Sequence, residues 1–491
     1  MQIVGNAAGG ARGLATARAA ERINLTAEWR RYYLRLVQST PRFGFARRFL
    51  QQDLIAAMQR LIPADARVLE AGVGDGSLLA ALPNRDKQGI DILPEALDAA
   101  RRKHPDLRLE LGDAARTQSD ERYDAIICDR LSHAVPDIQQ LLETLRGQLT
   151  PTGRIYLTCF NFLWSVPLQA GARLGFTEAS PEQNWLSASD LENLFALADL
   201  EPLQFEDRII LPASVPLVAT ALNRVGARLP GVGLATLYRI YVLRPRSAPR
   251  PAPKVSIVIP ARNEAGNIER ALKDTPALGS STEILFVEGN STDNTYERIA
   301  ELIKKYRGPL ELKLFKQPGK GKGDAVRVGF QNATGELLMI LDADLTVPPQ
   351  ELPKFYRAMV SGLTDYVHGT RLVYPMEDEA MRFLNKLGNA FFAKLFSFLL
   401  GQPLKDTLCG TKVLWKTDYE RIVKNRSYFG DFDPFGDFDL IFGARKLNLK
   451  IMEIPVRYKN RTYGDTNIQR FRDGALLLRM CLVAARKIKF V

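Results

Sequence analysis

The sequence predicts an α/β chain of two domains, and three observations carry that expectation. First, 491 residues with 46% apolar and 25% charged side chains suffice for two or three cores at roughly 150 residues per domain, which excludes disorder for the bulk of the chain. Second, short β-rich runs alternate with helical segments on both sides of Arg244-Pro-Arg-Ser-Ala-Pro-Arg-Pro-Ala-Pro253. That alternation implies parallel or mixed sheets covered by helices, and the Pro-rich stretch cannot continue a helix. Third, the two halves carry different strand-to-turn motifs and no internal repeat. The expected organisation is an extension at 1–35, a first domain at 36–244, a linker at 245–253 and a second domain at 254–491.

Cysteine and histidine usage narrows the chemistry. Cys128, Cys159, Cys409 and Cys481 are far apart, with no C-x-x-C pair, so neither a disulfide framework nor a zinc knuckle is expected. Three scattered histidines, His104, His133 and His368, argue against a His-rich metal site. No run approaches the ~18 apolar residues of a membrane span, and the N-terminus lacks a signal peptide's apolar core. A cytoplasmic chain is expected. Its net charge of +12 points to an anionic partner.

In the first half, Arg67-Val-Leu-Glu-Ala-Gly-Val-Gly-Asp-Gly-Ser77 reads as a strand that breaks at Gly72, Gly74 and Gly76 before a helix near Ser77. Glycines there allow positive φ and let a ligand approach the backbone. Asp91 ends the next strand, where an acid can take both ribose hydroxyls; Asp113 and Ala114 follow a third strand. Tyr123–Asp129 forms a fourth strand, and Leu149 leads into a fifth. The set resembles the class I S-adenosylmethionine-dependent methyltransferases over roughly 40–246. The resemblance implies a Rossmann-like fold and S-adenosylmethionine as cofactor, bound by Glu70, Gly72, Gly74, Gly76, Asp91, Asp113 and Ala114. An NAD-binding domain is the rival, though its G-x-G-x-x-G spacing differs. The sulfonium already activates the methyl group, so no base is obligatory. His133 is a candidate base or a structural histidine, and Phe160–Trp185 (with Phe162, Trp164, Phe176 and Trp185) a candidate acceptor cover. Ser189-Asp-Leu-Glu192 reads as a capping box.

In the second half, Val255–Glu264 is a buried strand ending in a polar turn, and Glu283–Glu288 a second strand followed by Gly-Asn-Ser-Thr-Asp-Asn. A glycine-bounded loop carries Lys320 and Lys322. A further strand, Glu336–Leu341, ends in Asp342-Ala-Asp344. Acids one residue apart at a strand end can hold a divalent cation against a diphosphate and neutralise a departing nucleotide. These elements, in this order, resemble the family 2 glycosyltransferases of GT-A fold across 254–491. The resemblance implies nucleotide-sugar contacts from Pro260, Arg262, Asn263, Glu264, Glu288, Ser291, Asp293, Lys322 and Asp342, and Mg²⁺ or Mn²⁺ on Asp342 and Asp344.

Later pieces look most like polyprenyl-phosphate sugar synthases such as dolichyl-phosphate mannose synthase: Gly369-Thr-Arg371, Arg382, Lys405–Lys412, Phe438-Asp439 and Arg461-Thr-Tyr-Gly-Asp-Thr466. They imply acceptor binding by Arg371, Arg382, Asp406 and Arg461, and a catalytic set of Asp342, Asp344, Arg371, Arg461 and Asp439. Three positions depart from the family pattern. Glu288-Gly289 replaces a paired acid, leaving uridine or guanosine open; Thr346 stands where Gln is common; Ile441 stands where an acid is common. A phosphate acceptor needs no base, whereas a hydroxyl would need Asp437, Asp439 or Asp406.

From Arg445 onward the chain has twelve Lys/Arg and three acids, most of the net charge. Two amphipathic patterns accompany it. Leu384, Leu387, Phe391, Leu395, Phe398 and Leu399 share one face near 381–400. Near 468–489, Arg472, Arg479 and Arg486 lie opposite Leu477, Met480, Cys481 and Ala484. Basic, amphipathic helices suit the surface of an anionic membrane. Nucleic acid is the competing anion, but no nucleic-acid-binding motif is present. The expected function is bifunctional: sugar transfer from a UDP- or GDP-linked donor to a membrane-held acceptor, and methylation of the sugar, acceptor or a related glycan. Transfer to a hydroxyl of a surface polysaccharide, and a methyltransferase-like module that only binds the cofactor, are the alternatives.

Overall fold

The computed structural model describes residues 27–32, 44–174, 181, 183–211, 218–229, 231–371, 373, 383–425, 438–459, 461, 463 and 470–489. The chain divides into two compact units, Met1–Pro245 and Arg246–Val491.

The first unit is a seven-stranded sheet ordered β3-β2-β1-β4-β5-β7-β6. Its strands are β1 (Val68–Ala71), β2 (Lys87–Asp91), β3 (Arg108–Leu111), β4 (Tyr123–Asp129), β5 (Leu149–Phe160), β6 (Leu200–Arg208) and β7 (Tyr238–Pro245). Only β7 runs against its neighbours. Two apolar layers, one around Met58, Leu79, Ile127 and Tyr156 and the other around Ile126, Leu142, Leu157 and Phe195, bury both faces. That is why the central strand β4 reads as a near-continuous apolar run, while β3 at the sheet edge does not. The chain order reverses between β1 and β4, which opens a crevice at the strands' carboxyl ends. The capping box sits two residues earlier than the sequence suggests. Ser187 caps the helix Ala188–Leu197 and exchanges hydrogen bonds with Asp190, because that start aims Leu191 and Phe195 into the core.

The second unit is also seven-stranded, ordered β10-β9-β8-β11-β13-β12-β14. Its strands are β8 (Lys254–Ala261), β9 (Ser281–Glu288), β10 (Glu311–Lys316), β11 (Leu337–Ile340), β12 (Tyr366–Thr370), β13 (Lys412–Trp415) and β14 (Ile451–Pro455). Here β13 is antiparallel to both neighbours, and the reversal falls between β8 and β11. The Pro/Arg stretch expected as a linker is partly laid on this unit: the Arg250 amide donates to the Val360 carbonyl (2.7 Å), and its guanidinium lies 4.1 Å from the Trp415 ring centre.

Both basic helices bury one face. In Phe383–Leu400, Ala393, Phe396, Leu399 and Leu400 enter the core, while Phe391 is 56% exposed. In Arg470–Ala484, Leu477, Met480, Cys481 and Ala484 are buried, whereas Leu478 and Leu482 are exposed beside Arg479. The stripe opposite the arginines is therefore core packing, and the outer face combines arginine with leucine.

At the amino ends of these strands, Glu283 is wholly buried. It accepts from the Thr334 amide (2.6 Å) and hydroxyl (2.9 Å), the Ser256 hydroxyl, and Lys313 Nζ (2.6 Å). Burial alone would raise its pKa, but Lys313, Ser256 and Thr334 outweigh burial and bring it down to about 2. A depressed pKa contributes stability that is complete above the ordinary carboxylate value and lost as pH falls through the folded one. Urea unfolding from pH 6 to 2 should show wild type losing stability on the order of 2 kcal/mol more than Glu283→Gln, mostly below pH ~4.5. Parallel pH profiles would refute this account.

Candidate active sites at the two switch points

In the first unit, Gly72, Gly74 and Gly76 have φ of +74°, +56° and +73°, so the turn after β1 needs residues without a Cβ. Their surroundings differ. A Cβ at Gly72 or Gly76 would press on Leu131 or Leu107, whereas one at Gly74 would meet nothing within 4 Å. Gly74 is thus the point where backbone faces open space. Asp91 reaches it: Oδ2 accepts from the Gly74 amide and Oδ1 from the Leu93 amide, both at 2.9 Å. Glu70 is 3% exposed and its Oε2 has no hydrogen-bond partner. Burial, then the charges of Asp129, Asp75 and Asp91, raise its pKa well above the ordinary range. Asp113 is half-buried, accepts from the Ala115 amide (2.9 Å), and lies 3.6 Å from Arg116; Ala114 packs against the core beside it.

An unpartnered buried carboxylate oxygen, an open glycine and a clasped acid fit a ligand that carries both a cationic centre and a ribose. In the full chain, Asp91→Ala should weaken S-adenosylmethionine binding about ten- to a hundredfold by titration calorimetry, since hydrogen bonds to charged groups contribute about 1.5–3 kcal/mol. Unchanged affinity would remove Asp91 from the site.

His133 is accounted for by the backbone. One ring nitrogen lies 2.8 Å from the Asn184 carbonyl, and Nε2 accepts from the Phe160 amide at 2.9 Å. With both nitrogens engaged, and its pKa lowered by burial, it serves as a structural histidine beside Phe160 and Trp185 rather than as a base. Trp164 is tied to the Ala235 carbonyl, and Phe162 is 49% exposed; Phe176 lies outside the described residues. Asp129, at the end of β4, was not singled out from sequence. It accepts from the Thr158 hydroxyl (2.5 Å) and from Arg130, whose φ is +52°. A charged pair closing an apolar strand was the available signal.

In the second unit, the turns after β8, β9 and β11 interlock. The Asn263 amide donates to Ser291 Oγ (3.0 Å), and Asn263 Oδ1 accepts from the Thr292 amide (2.8 Å). The Glu264 amide donates to Thr295 Oγ1 (3.0 Å), and Asp293 Oδ1 accepts from the Thr295 amide (3.0 Å). Glu288 is buried and accepts from the Ser291 amide. Pro260 is half-buried, and Arg262 is exposed at the rim. Asn263, Asn290 and Leu345 all have positive φ, the sharp exits that turn each strand away from the crevice.

The two aspartates of the last turn are both paired with cations. Lys322, the first residue of the helix Lys322–Asn332, places Nζ 2.5 Å from Asp342 Oδ1. Arg461 Nη2 donates to Asp344 Oδ2 at 2.6 Å, and its Nη1 lies 3.7 Å from Glu264 Oε1. Thr346 donates its hydroxyl (2.9 Å) and amide (3.1 Å) to Asp344 Oδ1, a use that its departure from the family pattern concealed. Burial opposes charge on Asp342, but Lys322, Lys412 and Arg461 hold its carboxyl below the ordinary range. Lys412 is fully buried at the start of β13, with Nζ 2.6 Å from the Cys409 carbonyl. A lysine opening an apolar strand was the sequence signal for it. Among the described residues no cluster of three or more His, Cys, Asp or Glu is arranged to hold a metal. Two carboxylates one residue apart, as at Asp342 and Asp344, would fit a cation that takes its remaining oxygens from another ligand.

The residues expected at the acceptor separate into two groups. Arg371 and Asp406 are bound to each other: Nε to Oδ2 at 2.6 Å, Nη2 to Oδ1 at 2.8 Å, and the Arg371 amide to Oδ2 at 3.0 Å. Asp406 is wholly buried and Arg371 is 9% exposed. The Nε–Nη2 edge of Arg371 is thus committed to a carboxylate and is not open to phosphate. Burial would raise the pKa of Asp406, but Arg371, which engages both of its carboxylate oxygens, brings it down to about 2. Arg461 instead joins the aspartates of the donor side. Asp439 lies 4.0 Å from Arg327 Nη1; Arg382 and Asp437 lie outside the described residues.

Comparison with known proteins agrees with this division. Residues 68–153 match the family model of a methyltransferase domain, and residues 256–422 that of glycosyl transferase family 2. A dolichol-phosphate mannosyltransferase of Pyrococcus furiosus is 30% identical over 220 residues, 44% of this chain and 59% of that protein. A low-salt glycan biosynthesis hexosyltransferase, Agl6 of Haloferax volcanii, is 30% identical over 48% of this chain and 54% of its own length. The chain thus spans somewhat over half the length of these curated relatives. Among solved structures, a Thermotoga maritima S-adenosylmethionine-dependent methyltransferase aligns with 44% of this chain and 99% of its own (18% identity, TM-score 0.36). Glucosyl-3-phosphoglycerate synthase of Mycobacterium tuberculosis, solved with Mn²⁺, uridine diphosphate and glucosyl-3-phosphoglycerate, aligns with 48% of this chain and 80% of its own (17% identity, TM-score 0.36). The chain carries a methyltransferase domain in its first unit and a family 2 glycosyltransferase domain in its second.

Proposed function

We propose that the second unit transfers a sugar, with inversion, from a UDP- or GDP-linked donor to a polyprenyl phosphate at a membrane surface, and that the first unit methylates the sugar, the acceptor or a related glycan. The observation that carries the first part is the convergence of Asp342, Asp344, Glu264, Lys322 and Arg461 at the reversal between β8 and β11. A divalent cation on the two aspartates would neutralise the charge that develops on the departing diphosphate. The chain's own part is to orient the donor with the turns at Asn263, Ser291 and Asp293 and to aim Asp344 through Thr346. A phosphate acceptor arrives anionic, so no base is needed, in keeping with the commitment of Asp406 to Arg371.

In the first unit, bound S-adenosylmethionine would supply an activated methyl group, and the residues around Gly74, Asp91 and Glu70 would hold it. The curated relatives named for dolichol phosphate and glycan biosynthesis support a lipid-linked acceptor. Membrane attachment is supported by the outward faces where exposed Leu478, Leu482 and Phe391 accompany the basic C-terminal helix. Sedimentation with anionic vesicles should be strong at low salt and fall steeply in ~0.5 M salt, where charge attraction is screened.

The deciding experiment incubates the full chain with UDP- and GDP-sugars, polyprenyl phosphate and Mn²⁺, with and without S-adenosylmethionine, and weighs the lipid. A hexose adduct supports the first part, and a further methyl increment supports the second. Sugar appearing only on added glycan would move the acceptor to a hydroxyl.

A further inference from the structure

Both aspartates of the donor site hold a cation from the chain itself, and the fold delivers those cations deliberately. Arg461 is not a loose surface side chain. Two residues before it, the Lys459 amide donates to the carbonyl of Thr346 (2.9 Å), two positions after Asp344. Two residues beyond it, the ring of Tyr463 lies on Gly266, close enough that a Cβ there would come within 2.7 Å of it. Lys459 and Tyr463 are thus each held against the donor turns, and Arg461 reaches Asp344 and Glu264. Lys322 is placed as firmly. It opens a helix after Gly321, at φ +84°, and the Lys322–Asp342 pair closes against Gly410, where a Cβ would collide with both groups.

We propose that Lys322 and Arg461 are place-holders for the divalent cation. They neutralise Asp342 and Asp344 until the donor arrives, yield the carboxylates when it enters, and then turn their charges onto its diphosphate. The inference rests on the donor site proposed for these residues and adds how that site is loaded.

The charge balance favours an exchange. Two carboxylates with one lysine and one arginine are neutral. A divalent cation replaces both side chains charge for charge, and the doubly anionic diphosphate of a nucleotide-sugar then balances the side chains released. Free metal alone must displace Lys322 and Arg461 from Asp342 and Asp344 with no anion offered in exchange, which opposes its binding. Nucleotide alone meets two carboxylates. Each ligand removes the obstacle to the other, so their binding is positively coupled and, by linkage, reciprocally so.

The test uses the full chain, Mn²⁺ as probe and the resonance signal of the free ion as readout, with no turnover involved. Wild type should bind Mn²⁺ weakly alone, and UDP or GDP should tighten it by about tenfold or more. Arg461→Gln and Lys322→Met should each tighten Mn²⁺ alone several-fold and shrink the nucleotide-induced gain. Lys320→Met, which removes an equal charge from an exposed position on the same loop, should leave Mn²⁺ affinity within about twofold and so separates place-holding from bulk charge. Melting curves confirm that each variant is folded. If both variants bind Mn²⁺ no tighter than wild type, or if Lys320→Met tightens it equally, the place-holder role is overturned. If wild type binds no Mn²⁺ with either nucleotide, or Asp342→Asn binds it undiminished, the donor site itself is at fault.

Discussion

Replacing Asp342 and Asp344 together with alanine is expected to lower sugar transfer by about a thousandfold or more, equivalent to ~4 kcal/mol of transition-state stabilisation. The fold should tolerate the change. Asp344 is held at a turn rather than inside the sheet, Lys322 retains access to water, and Arg461 keeps Glu264 as a neighbour. Donor consumption by the full chain under saturating Mn²⁺ measures the loss, with a melting curve as control. Donor turnover that survives the double substitution, or survives a chelator, would end the assignment of these residues to the leaving diphosphate.

The second large effect concerns stability. Asp406→Ala should destabilise the second unit by about 3–5 kcal/mol, because it leaves the Arg371 guanidinium buried without its counter-charge. It also frees the Leu408 amide, which Asp406 accepts at 3.0 Å. Calorimetric unfolding of the full chain would register the shift in one transition. Replacing both partners with apolar residues, Asp406→Leu with Arg371→Met, should recover much of the loss, as such exchanges do when no charge is stranded. If the single substitution leaves unfolding unchanged while acceptor turnover collapses, Arg371 and Asp406 handle the acceptor phosphate after all.

The contrast between these experiments marks what was legible in the sequence. Glycines at 72, 74 and 76 and the aspartates at 342 and 344 were readable because a strand end and its turn are local. Their meaning lies within a dozen residues, and the apolar run beside them fixes which way they face. Pairings were not readable. Arg461 meets an aspartate 117 positions earlier, and Arg371 an aspartate 35 positions later. Sequence assigned three of those four side chains to the same acceptor, since guanidinium and carboxylate carry no label for whom they serve. His133 shows the same limit. An isolated imidazole beside a sheet is compatible with catalysis until the Phe160 amide and Asn184 carbonyl are seen to occupy both nitrogens. The amphipathic stripe of Arg470–Ala484 was correctly located, but which half of it meets the core depends on neighbours the helix cannot announce.

Because β13 runs against β11 and β12, it begins where they end, and the chain feeding it passes the crevice on its way in. Along that short approach, Asp406 grips Arg371 and Gly410 closes on Asp342, with only three residues between. A tether so brief cannot absorb much slack. Whatever tugs on one grip displaces the other, so the Arg371–Asp406 pair and the turn at Asp342 share a single mechanical strut.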